Sequence, residues 1–138
     1  MSLRSTSTLF YYENAAGSLR GDTRGFLHLV WNAGAALDQD RHLIFEHLLT
    51  WLQQHDTGKV LVDQRQMTPF STATQVWLLG EWMPRAVASR SFRHRAILAA
   101  HDVFTRLATA AVVAPAWKQI NSRYFNEEKE AVAWLVAQ

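Results

Sequence analysis

At residue 37 the hydrophobic pattern of the chain changes period, and the change then recurs towards its end. Before it, Phe26 to Trp31 sets Leu27, Leu29 and Trp31 on one face and Phe26, His28 and Val30 on the other. Both faces are mostly apolar, so this strand belongs inside a sheet covered on each side. After it, Leu37, Ile44, Leu48 and Leu52, flanked by Phe45 and Leu49, make one helical stripe through His55. Lys59 to Asp63 returns to a short buried strand, Ser71 to Met83 to a helix, and Arg95 to Ala100 to a strand. Asp102 then opens a helix towards Val113, and Arg123 to Phe125 is a last short strand before a C-terminal helix. Strands separated by helices pair in parallel through right-handed crossovers.

The opening is different. Thr8 to Glu13 is a β-rich run, and the glycine-containing segment from Asn14 to Gly25 must turn the chain back, giving an antiparallel pair with room for a short strand near Leu19. The expected fold is α/β: a mixed β-sheet with an antiparallel opening pair, then parallel β–α units, and about four helices. Local chemistry marks the helix ends. Asp38, Asp102 and Asn126 are expected N-caps, and Gly58 closes the turn after the first helix. Pro84 is expected to end or kink the second helix and Pro115 to break the third. Glu127 and Glu128 suit the first turn of the last helix, where its dipole favours negative charge.

Composition removes several function classes. The chain has 138 residues, 49% hydrophobic and 19% charged, which suits one globular domain rather than disorder. Residues 1–7 are expected to be a flexible N-terminus and residues 8–138 the domain. The absence of cysteine excludes disulfides, thiolate metal sites and cysteine nucleophiles. A net charge of +2 is too small to imply nucleic acid. The N-terminus lacks a secretory apolar segment, and the stretch from Leu107 to Trp117 is too short to span a bilayer, so a cytoplasmic protein without a transmembrane segment is expected. No H-E-x-x-H, i, i+4 histidine pair, G-x-S-x-G elbow, Walker loop or Rossmann glycine run occurs. Neither an enzyme, nor a cofactor, nor a metal is therefore expected.

The layout carries a family resemblance. Leu37-Asp38-Gln39-Asp40 enters a helix, Val60-Leu61-Val62-Asp63-Gln64-Arg65 ends a strand, and Arg123-Tyr124-Phe125-Asn126-Glu127-Glu128 leads into Ala131-Val132-Ala133-Trp134-Leu135. This order resembles the bacterial SpoIIAA-like proteins, relatives of the STAS domain of anti-sigma-factor antagonists, over roughly Thr8 to Val136. The resemblance implies a mixed sheet with helices, a non-enzymatic binding or regulatory role, and no metal. It also implies a serine phospho-switch just after the strand's aspartate. Here, however, Asp63 is followed by seven residues before Ser71, without an Asp-Ser-Ser-Gly run. A likeness of that family to the CRAL-TRIO lipid-transfer fold supplies the alternative, a carrier of a lipid or other small apolar ligand.

Three sets of residues are candidates for function. Asp63, Arg65, Thr68, Ser71 and Thr72 form a candidate ligand or partner loop beyond a strand's carboxyl end, where open α/β sheets gather ligands. The plainer account is that Asp63 bonds loop amides and that Thr72-Ala73-Thr74-Gln75 is a capping box. Arg85, Arg90 and Arg93, with Arg95 close by, could meet an anion, although a solvated connection explains them as well. Trp51, Trp77, Trp82 and Trp117 fit core packing first, a homodimer face second and an apolar pocket third.

Overall fold

The computed structural model describes residues 8–138, and the flexible N-terminus expected over residues 1–7 lies outside the described residues. Among these residues six strands form one sheet: β1 Thr8–Asn14, β2 Gly17–Asp22, β3 Phe26–Trp31, β4 Lys59–Asp63, β5 His94–Leu98 and β6 Asn121–Phe125. They lie side by side in chain order. β1, β2 and β3 pair antiparallel, whereas β3 to β6 pair in parallel. The expected mixed α/β sheet is present, and its start is fuller than the opening pair alone. The short strand near Leu19 is a full six-residue β2, so the opening is a three-stranded meander. Its two glycines and exposed Arg20 disguise the alternation that buries Leu19.

Among the described residues five helices connect and cover the sheet: α1 Asp38–His55, α2 Thr72–Trp77, α3 Met83–Ser89, α4 Val103–Val113 and α5 Glu128–Val136. Between α2 and α3, Leu78–Trp82 is a π turn in which the Met83 N–H donates to the Leu78 carbonyl. Helical backbone therefore continues past Pro84 to Ser89, so Pro84 does not end the helix but follows an irregular turn. Proline lacks an N–H and crowds the carbonyl four residues back, and the widened turn accommodates both. Pro115 does act as expected: α4 stops at Val113 and a single 3-10 turn follows over Ala114–Ala116.

The caps agree only in part. Asp102 caps α4, its Oδ2 accepting from the Thr105 N–H at 2.9 Å. Asp38 does not cap α1. Leu37 holds that position, and Asp38 lies in the first turn with its carboxylate turned towards α2. Ser71, not Thr72, caps α2, because Ser71 has the extended backbone from which its Oγ reaches the Thr74 N–H at 3.0 Å. Asn126 does not cap α5 either, since Glu127 occupies the cap position without a side-chain bond. Gly58 follows the first helix at φ +72°, and Asp56 is also left-handed there.

Crossovers of one hand between neighbouring parallel strands place every connecting helix on the same face. Accordingly α1, the α2–α3 rod and α4 all pack on the face that carries Leu19, Leu27, Leu29, Val62 and Ile97. The opposite face carries Phe26, Leu61, Ala96 and Leu98, and α5 covers it through Ala131 and Leu135. The main core is solid. Its cavity, walled by residues such as Trp31, Trp82 and Phe92, measures about 40 Å³.

Candidate functional site at the carboxyl edge of the parallel strands

Register places Val30 of β3 beside Asp63 of β4, and Asp63 beside Leu98 of β5. The chain leaves β4 at this edge, so Asp63 stands at the mouth of a cleft of about 370 Å³ that Arg65, His101, Asn126 and Glu128 also line. Asp63 is buried, yet it is fully engaged. Its Oδ1 accepts from the Arg65 N–H and Nε, each at 3.0 Å, and its Oδ2 accepts from Arg65 Nη2 at 2.8 Å. Burial alone would raise its pKa. The hydrogen bonds from Arg65 outweigh that and hold the carboxyl below the usual range. The same Nη2 also reaches Glu128 Oε1 at 3.1 Å, bridging β4 to the first turn of α5.

His28, on the same face of β3, completes this corner. Its Nε2 is buried and has no hydrogen-bond partner, and burial lowers the ring's pKa so that the neutral form is favoured. Sequence reading placed neither His28 nor Glu128 in a site. Their signals were an ionisable residue on an otherwise apolar inner strand, and an acid in a helix's first turn. Only the fold shows that the two converge on Asp63.

The rest of the candidate loop is held by another arginine. Arg41 on α1 is buried, and its guanidinium donates to the carbonyls of Pro69 (2.8 Å) and Thr68 (3.0 Å) and to Thr68 Oγ1 (2.9 Å). Thr68 Oγ1 donates in turn to the Gly34 carbonyl, so this loop is tied to the one entering α1. Further on, Ser71 Oγ donates to Asp38 Oδ1 at 2.7 Å and Thr74 Oγ1 donates to the same oxygen at 3.0 Å. Those two bonds hold the Asp38 carboxyl below its ordinary value. Thr72 is exposed. The structure thus groups Asp63 with Arg65 and ties Thr68 to Arg41, while Ser71 belongs to a separate cap cluster.

The SpoIIAA-like family profile matches residues 27–136, most of the chain, from β3 to α5 and without β1 and β2. The chain belongs to the SpoIIAA-like family. Neither the curated proteins nor the solved structures give a significant match. In this SpoIIAA-like protein the loop between Asp63 and α2 is a pinned segment, and Ser71, the first serine after Asp63, is engaged as a cap.

The arginine set is not one patch. Arg85 pairs with Glu46, with Nη1 to Oε1 at 3.0 Å, and Arg93 bonds the carbonyls of Arg90 and Asp56. Arg90 is a left-handed cap residue at the end of α3. Arg95 points the other way, into the main core, where it is fully enclosed. Its Nε donates to Ser122 Oγ at 2.9 Å, Nη2 has no partner, and burial pushes its pKa down to about 10. The tryptophans are packing residues in three cases. Trp51 and Trp82 are buried, with Trp82 Nε1 donating to the Phe45 carbonyl, and Trp77 stacks on His42. Trp117 is exposed beside Tyr124. Among the described residues no helix is long and apolar enough to cross a membrane.

Proposed function

We propose that this SpoIIAA-like protein is a non-enzymatic regulatory module that binds a protein partner through α4 and the adjacent carboxyl-edge loop. The observation that carries this reading is an apolar stripe on the outer side of α4. Val103, Phe104 and Leu107 are 47%, 68% and 63% exposed, while Thr105, Thr109, Val112 and Val113 bury the other side. Large apolar side chains exposed together, and bordered by polar groups, mark contact surfaces more often than chance does. Phe104 also borders a groove of about 570 Å³ shared with Arg65, Gln66, Thr68 and His101, so an apolar anchor and a polar rim lie side by side. Membership of the family supports a regulatory role.

The carrier alternative receives no such support. A site for a small apolar ligand takes at least about 300 Å³ of enclosed apolar space. The interior cavity of about 40 Å³ falls far short of it. The test compares wild type with Phe104→Asp and Leu107→Asp. A partner recovered by affinity capture should be lost with both variants while their melting temperatures stay unchanged. Retention by both would sink the reading. Sedimentation of the same proteins identifies the case in which the partner is a second copy, because a concentration-dependent dimer would then disappear with the same substitutions.

A further inference from the structure

We propose that His28, Asp63 and Glu128 form a binding site for a divalent transition-metal ion, and that Arg65 is the cation that competes for it. One ligand atom from each of the three residues lies within 4.8 Å of the other two. Metal–ligand bonds of about 2.0–2.2 Å bring ligand atoms roughly 3–4 Å apart, so a small closure suffices. Glu128 can supply it, because its side chain is 48% exposed at the start of α5.

Arg65 leaves this corner only partly satisfied. Its guanidinium spans both carboxylates, with Nη2 at 2.8 Å from Asp63 and 3.1 Å from Glu128. One positive charge is thus shared between two negative ones. His28 Nε2 is buried without a hydrogen-bond partner, and one nitrogen of the same ring is the imidazole donor of this cluster. A buried polar atom without a partner is costly and uncommon. A dication would satisfy the imidazole nitrogen and match the charge of the two carboxylates, which a guanidinium cannot do together. Arg65 is able to leave, since its side chain is 35% exposed and opens onto the cleft. Its backbone N–H would continue to orient Asp63 Oδ1, leaving Oδ2 for the ion. One imidazole with two carboxylates is a mixed nitrogen and oxygen donor set. It suits zinc, manganese or iron(II) rather than calcium, which prefers oxygen donors throughout.

The experiment titrates the full, chelator-treated chain with zinc chloride in a calorimeter. Wild type should show saturable binding of a single equivalent. Arg65→Ala should bind at least about twofold more tightly, because the guanidinium that spans both carboxylates no longer competes for them. His28→Gln should lose at least about tenfold, as metal sites do when a coordinating environment is cut. Because His28→Gln could also disturb β3, manganese(II) is added to isotope-labelled wild type as an independent measure. Paramagnetic broadening should begin at the amides of residues 28, 63 and 128. Absence of saturable zinc binding in both wild type and Arg65→Ala would overturn the proposal. So would broadening that begins instead around His42, His47 or His55.

Discussion

Arg95 shows what a single side chain costs and what can be inferred from it. It lies in the main core without a carboxylate partner among the described residues, and its guanidinium is held at about 10 by burial. A group whose folded pKa is below its unfolded value opposes folding at every pH beneath both, so Arg95 is unfavourable throughout the physiological range. Arg95→Met should therefore raise stability by at least about 1 kcal/mol in urea unfolding. A loss of stability would mean that Ser122 and the Phe92 ring compensate the charge. Ser71 and Thr72 provide the second case. Ser71 accepts from an α2 amide and donates to Asp38, whereas Thr72 is exposed, so Ser71→Ala should cost about 1 kcal/mol and Thr72→Ala close to nothing. Equal costs would contradict the assigned cap. The sequence pattern Thr72-x-x-Gln75 matches a capping box just as well as the true arrangement does. The extended backbone at Ser71 decides between them, and its hydroxyl has a further partner in Asp38, more than thirty residues away, of which local spacing contains nothing.

Among the elements, the α2–α3 rod departs most from local expectation. Pro84 reads as a break, yet the π turn before it lets the helix pass. Gly80 lies in that turn, without a positive φ and with open space where a Cβ would be. Its flexibility is therefore a cost to the folded state. Gly80→Ala should stabilise by about 0.5–1 kcal/mol, seen as a higher urea midpoint. A lower midpoint would show that the wide turn itself needs glycine. The strands were legible where burial on both faces left a continuous apolar run, as in β3, β4 and β5. β2 was legible only as a short strand near Leu19, because Gly17 and Gly21 contribute no side chain to its pattern and its pairing comes from β1 and β3 on either side. The candidate site divides in the same way. Asp63 and Arg65, two residues apart, could be read together; His28 and Glu128 come from an inner strand and the last helix, and only parallel register joins them to the corner.

At the scale of the molecule, two cores share one sheet. Leu27 and Leu29 face α1 while Phe26 on the same strand faces α5, so neither core can be lost without disturbing the strands of the other. Leu135 is fully buried, and Leu135→Ala should cost about 2–5 kcal/mol. The loss should appear as one earlier transition, with far-ultraviolet circular dichroism and tryptophan fluorescence coincident. A separate early change, reporting Trp134 alone, would show that α5 peels away by itself. The strand order, in which each strand lies beside its chain neighbour, has a further consequence for biosynthesis. Such a sheet can grow as the polypeptide leaves the ribosome, each new strand adding to an edge already made. The cover for its second face arrives only afterwards. A chain released after residue 125 would hold all six strands with Phe26, Leu61, Ala96 and Leu98 bare, a surface for chaperones that α5 otherwise covers.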